Sequence, residues 1–516
     1  MIERPRPPAA DIDLPSHTDP VVAGLSQVIG GPVGDRARLD RRFWTPVRVV
    51  LALACLVFAF NWVQKSPCRD GQWVENVQYK KACYTDVLAL YFAEKLNEGA
   101  VPYLDHPVEY PVLTGAFMGA LGLPVHALGT SEWVNQTLLP TLADFGLAEG
   151  GPLNQPKLFY DLNALVLGLF GLIAVWTVVR MRPRRPWDGA MVALAPAVFV
   201  TATVNWDLFA VGLCMLAIYA WSRRAPGWAG VLFGLAIAAK LYPLFILGPL
   251  LVLCWRRKKL AEFTVTASTA ILTWVVVNVP VYLAAPDSWL RFFRLNNERP
   301  VDWGTLWYIG AHFPVGGGDV GLPFFTEMAR AENISDLNLL SQSAFALACV
   351  GIAALIFFAP RPPRLGQVAF LVVAAFLLTN KVWSQQFVLW LVPLAVLARP
   401  KWTAFLAWQA AELAYFFGFY QILLRAAGAK SLMPEKWFAL IGLARWVAVA
   451  VLCAVVIREV LHPEYDVVRA GGVDDPEGGV LVDPPAGAGL DEPPTQELEP
   501  AGTEDEPGPR IRPGRG

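Results

Sequence analysis

Asp86 and Glu109 are the two carboxylates in this 516-residue chain whose setting suits proton transfer. Asp86 follows Tyr84-Thr85, and Glu109 precedes Tyr110-Pro111, both shortly after a long apolar run. A carboxylate at the mouth of a polar cavity can take the proton from a hydroxyl nucleophile. Glu109 could act as that base or hold sugar hydroxyls, and Asp105-His106 between the two is a third candidate. Leu88, Tyr91, Phe92 and Lys95 recur at helical spacing after Asp86, so this aspartate could equally serve as a helix N-cap.

Cations are the second ingredient. Lys240 sits between two apolar arms, where an unpaired lysine costs about 2.5–3.5 kcal/mol. It either snorkels to an interface or meets something negative. Lys381 occupies an equivalent turn, and Arg291, Arg294 and Arg299 follow in a nearby loop. Together with Tyr242 they suit an anion such as a phosphate. Asn205, Asp207 and Gln386 lie in the same kind of turn, where they could touch a sugar or a phosphate or simply hydrogen-bond to one another.

The elements that must position these residues are membrane helices. The chain is 55% hydrophobic and only 16% charged, with 20 tryptophans, against roughly 25% charge in soluble domains. Apolar runs predict an all-α polytopic membrane protein with about 12 transmembrane helices. The spans lie near 45–63, 158–179, 189–204, 207–222, 227–240, 242–255, 264–284, 341–359, 366–380, 386–398, 402–421 and 436–457. Clusters at Arg36/Arg38/Arg41/Arg42, Arg180/Arg182/Arg184/Arg185, Arg223/Arg224, Arg256/Arg257/Lys258/Lys259, Arg361/Arg364 and Arg399/Lys401 place these loops and both termini in the cytoplasm. The segment from Tyr110 to Gly129 is apolar enough to span, yet counting it would invert every later loop. It is therefore assigned to a long first external loop, 64–157, as a helix dipping into or lying on the membrane surface. A span here, with some later segment failing to cross, is the alternative.

Several spans are short for a bilayer that needs about 20 residues. Their outer turns should lie below the membrane surface and line a protein-walled cavity. A second large external loop, 285–340, carries Arg and aromatic residues suited to a lipid headgroup beside a sugar ring. Residues 41–462 form the membrane domain. Residues 1–40 and the acidic 463–516 are expected to be disordered cytoplasmic tails; the latter holds 13 acidic residues against 4 arginines. Nothing indicates a partner for the acidic tail, and no basic stripe with interleaved aromatics suggests nucleic acid. Cys68 and Cys83, both in the first external loop, are expected to form a disulfide. No cysteine or histidine motif suggests a metal, and no cofactor is assigned.

The order of several short motifs resembles the GT-C superfamily of polytopic glycosyltransferases, and especially glycosyltransferase family 87. The motifs are Asp86 after the first span, Gly99-Ala100-Val101-Pro102-Tyr103, Glu109-Tyr110-Pro111-Val112-Leu113 and Asn205-Trp206-Asp207. Gly234-Leu235-Ala236-Ile237-Ala238-Ala239-Lys240-Leu241-Tyr242-Pro243 and Lys381-Val382-Trp383-Ser384-Gln385-Gln386 follow. The resemblance spans about residues 45–400. It implies a polyprenyl-phosphate sugar donor, most often mannose, and a glycolipid or glycan acceptor, as in actinobacterial mannosyltransferases. The family's catalytic aspartate maps onto Asp86 and its lysine before Tyr-Pro onto Lys240. Lipid phosphate would be held near outer helix ends. Val112 departs from the commoner Tyr-Pro-Pro and the stretch after Tyr110 is unusually long, which leaves the acceptor open. An arabinofuranosyl or other sugar transferase, a lipid-linked-sugar flippase and an envelope scaffold are the competing functions.

Overall fold

The structure is a computed structural model that describes residues 20–21, 43–132, 134, 153–314, 321–470 and 474–482. The architecture below belongs to one compact unit that ends at Leu481. It is helical throughout; among the described residues the only β-type pairing is an isolated bridge between Pro102 and His106. The principal helices are α1 Pro46–Lys65, α2 Asp86–Ala93, α3 Val112–Thr130, α4 Gln155–Met181, α5 Asp207–Ser222, α6 Pro226–Ala239 and α7 Tyr242–Arg256. They continue with α8 Leu260–Ala284, α9 Pro286–Glu298, α10 Ile334–Phe358, α11 Leu365–Thr379, α12 Val388–Ala398, α13 Trp402–Ala426 and α14 Glu435–Leu461.

Burial sorts them. Every residue of α12 is buried, as suits a helix that is apolar all round, whereas α8 and α10 expose Ile271, Leu272, Val276, Leu347, Val350 and Phe358. Among the described residues six helices are long and apolar enough to cross a membrane. The short ones, α5, α6, α7, α11 and α12, hold 16, 14, 15, 15 and 11 residues, or about 16–24 Å of helix. That falls short of a hydrocarbon core of about 30 Å, so their ends enclose space.

The expected span at 189–204 is two pieces, Asp188–Ala193 and Pro196–Thr201. Pro196 has no N–H to give and breaks the helix; the Gln409 side chain accepts from Ala197 N at 3.0 Å across the break. By length and composition α3 could itself cross a membrane. Both its ends, however, pack against one end of the helix layer. Thr114 Oγ1 donates to Ala239 O at the end of α6, 2.7 Å away, and Gly129 lies against Gln155 at the start of α4. The first turns of α4 are tied to the same end, since Trp206 Nε1 donates to Asn163 Oδ1 at 2.7 Å.

The disorder expected from residue 463 does not hold for the described part of that segment. Residues 463–470 and 474–481 fold back as a strap at the opposite end of the layer, because two buried arginines require its carboxylates. Arg364 meets Asp466 at 2.7 Å and Glu477 at 3.5 Å. Arg182 meets Glu477 at 2.7 Å and Asp188 at 3.1 Å. Both guanidinium groups also donate to Leu397 O, closing the last turn of α12. The expected disorder at 1–40, residues 20–21 apart, and beyond 482 lies outside the described residues.

Candidate active site

Thr85 adopts an extended conformation and its Oγ1 accepts from Val87 N at 3.2 Å, so Thr85 caps α2. Asp86, one residue inside the helix, is thereby released from the capping role that its position allowed. Its backbone N–H donates to Val204 O at 2.7 Å, pinning α2 to the broken segment before α5. The carboxylate accepts from Asn205 Nδ2 at 2.7 Å, from Gln386 Nε2 at 3.5 Å and from the Tyr84 hydroxyl. Immediately upstream a disulfide joins Cys68 to Cys83, with Cα atoms 5.7 Å apart, and Lys65 Nζ donates to Tyr84 O at 3.1 Å. Burial is the strongest influence on Asp86 and raises its carboxyl above the ordinary range; Asn205, Tyr84 and the Lys240 charge pull the other way without cancelling it.

A cavity of about 630 Å³ opens in front of this carboxylate, lined among others by Tyr84, Glu109, Asn205, Lys240, Tyr242 and Arg299. Lys240 interrupts the chain between α6 and α7 in extended conformation. Its Nζ pairs with Asp207 Oδ1 at 3.0 Å and sits over the rings of Tyr110, Phe387 and Trp390 at 5.3, 5.6 and 6.0 Å. Asn205 Oδ1 lies 3.5 Å from Lys240 Nζ, so one amide bridges the acid and the ammonium. Tyr242 stacks on Trp390 with ring centroids 4.6 Å apart. Asp207 is fully buried behind the wall and also accepts from Trp390 Nε1 at 2.6 Å. It acts as the counterion of Lys240 and does not line the cavity, so the sugar contact considered for it is not what its position offers.

The remaining candidates separate. Glu109 lines the cavity, and burial followed by the Asp86 charge raises its carboxyl, partly opposed by Arg299, Arg291 and Lys240. Its backbone N–H donates to Glu94 Oε1 at 3.3 Å; Glu94, pushed up to about 7 by burial, also sits 3.5 Å from His106 Nε2. Asp105 closes its own turn through Val101 N at 2.9 Å. Arg299 borders the cavity at the end of α9. Arg294 does not line it; its guanidinium is half exposed and meets Asp287 at 3.1 Å. Lys381 lines the cavity, but its Nζ donates to the carbonyls of Asn297 at 3.0 Å and Arg299 at 2.7 Å. It therefore caps α9 and fixes Arg299, a positioning task.

Tyr84, Lys65, the Tyr110 hydroxyl on Asn205 and the aromatic box around Lys240 carried no role in the sequence reading. A lysine at the end of a first span looks like a membrane anchor, and only the fold brings Lys65 beneath the Tyr84 carbonyl. Among the described residues no three metal-binding side chains stand together.

A search of curated proteins returns no match to this chain. Residues 156–380, which hold Asn205, Asp207, Lys240 and Arg299 but begin after Asp86 and stop before Lys381, match the model of glycosyltransferase family 87, a match that indicates a glycosyltransferase and is consistent with the GT-C superfamily.

Proposed function

We propose that this protein transfers a sugar, most simply mannose, from a polyprenyl-phosphate donor to a hydroxyl of a glycolipid or envelope glycan, with inversion at the anomeric carbon. Asp86 takes the acceptor proton as that oxygen attacks; the bond from the anomeric carbon to the phosphate oxygen breaks, and polyprenyl phosphate leaves with the electron pair. Lys240 and Arg299 stabilise the charge that develops on the departing phosphate, so side-chain cations do the work for which an ion would otherwise be needed. Glu109 orients sugar hydroxyls. The observation that carries this reading is the hydrogen-bonded line from Asp86 through Asn205 to Lys240 along one wall of one cavity. A base and a cation held at fixed separation suit a reaction that deprotonates one partner and expels an anion from the other.

The cavity faces the external side in this reading. The opposite end of the helix layer carries Arg182, Arg256, Arg364 and Arg399, the bias of a cytoplasmic face. Both termini then lie in the cytoplasm, and α3, with both ends at the cavity end, lies along the membrane surface, leaving twelve crossings. The test is transfer from polyprenyl-phosphate mannose to a glycolipid acceptor by Asp86→Asn protein that is folded and membrane-inserted. Activity near wild type eliminates the proposed base. Parallel assays with polyprenyl-phosphate arabinose identify the sugar, and donor-dependent product formation by wild-type protein separates transfer from flipping.

A further inference from the structure

The arginine cluster at 180–185 marks orientation in the sequence, but in the fold it encloses a second cavity of about 270 Å³ at the strap end. Arg180, Arg182, Arg184, Arg185 and Arg223 line it, together with Val468 and Pro476 of the strap, and among the described residues no carboxylate contributes to its wall. Three of the arginines are already engaged, Arg184 among them. Arg182 is buried against Asp188 and Glu477, and Arg185 meets Asp188 at 3.0 Å. Arg180 and Arg223 are exposed and form no ion pair among the described residues; Arg180 sits over the Trp176 ring, 6.0 Å away.

We infer that this cavity binds a phosphate-bearing anion, the headgroup of an anionic membrane lipid. A concave site lined by cations concentrates the field of several guanidinium groups on one point. Guanidinium groups match phosphate oxygens in pairs, and basic pockets between membrane helices hold lipid headgroups in this manner. The site is separate from the Asp86 cavity and does not depend on glycosyl transfer. It is not mechanically isolated, because Arg182 borders it and also closes the last turn of α12 at Leu397, and α12 is preceded by Gln386 at the Asp86 carboxylate.

The test uses the full chain in neutral detergent, titrated with short-chain phosphatidylglycerol, with zwitterionic phosphatidylcholine, and separately with inorganic phosphate. Saturable binding of phosphatidylglycerol is expected, weakening roughly fivefold for each arginine removed and roughly 25-fold in R180Q/R223Q. The paired variant R291Q/R294Q, at the other end of the layer, should bind as wild type. Inorganic phosphate saturating the same arginines as tightly as the lipid supports the anion site and assigns it to free phosphate. Equal binding of phosphatidylcholine, or undiminished binding by R180Q/R223Q, overturns the inference. Both substituted side chains are exposed, and an unchanged unfolding midpoint confirms that the variant is folded.

Discussion

The two ends of the helix layer use the same ingredients in opposite ways. At the strap end, Arg364 spends its guanidinium on Asp466, Glu477, Leu397 O and Ala398 O, at 2.6–3.5 Å, with no side-chain exposure on either side of its ion pairs. At the cavity end, Asp86 is also fixed by several donors, yet it borders about 630 Å³ of open space and its cationic neighbour Lys240 still faces that space. A closed charge network contributes to holding helices in place. An open one holds charge in readiness for a ligand, and its carboxyl is correspondingly harder to ionise.

This contrast breaks most visibly at Asp86. Asp86→Asn should lower transfer by about 10²–10⁴-fold, the usual worth of a general base, while leaving the thermal unfolding midpoint in place. If activity and stability fall together, the cavity end is structural too. Arg364→Met should do the reverse. Leaving buried carboxylates without their cation costs about 3–5 kcal/mol, read as a lower unfolding midpoint, with turnover per folded molecule maintained. Cys83→Ser should cost about 3 kcal/mol by the loop-entropy argument and should loosen the turn that presents Tyr84 and Asp86.

A smaller effect sharpens the comparison by pH. Asp86 works as a base only when ionised, so activity should fall as pH drops through its raised pKa, placing the acid limb above the ordinary aspartate value of about 4. Tyr84→Phe removes a donor that favours the anion and should move that limb further up; a shift downward contradicts the geometry. Smallest of all, Glu109→Gln should change turnover by less than about tenfold if Glu109 only orients sugar hydroxyls. A loss as large as that of Asp86→Asn would transfer the base role to it.

Much of this was legible in the chain. Short apolar arms with polar turns foretold a cavity, and Asp86, Asn205, Lys240 and Gln386 did converge there. What the sequence could not resolve was which polar group answers which. Lys240 and Lys381 look alike in their turns, but one meets a carboxylate from α5 and the other the carbonyl end of α9, pairings set by contacts far apart in sequence. Thr85 and Asp86 are both good capping residues, and only backbone geometry assigns the task to Thr85. The strap is hidden in the sequence for a related reason. Its Gly, Pro, Asp and Glu composition cannot form an apolar core, and its fold depends on arginines more than a hundred residues away.

That strap has a practical consequence for anyone altering the protein's C-terminus. A chain cut before Pro463 would strip Arg364 of both its carboxylates and remove the carbonyl of Gly478 that Trp221 reaches at 2.9 Å. A label or cut placed after Val482 preserves all three. An inactive short version would then report a damaged foundation, with no bearing on whether the acidic residues beyond it take part in the reaction.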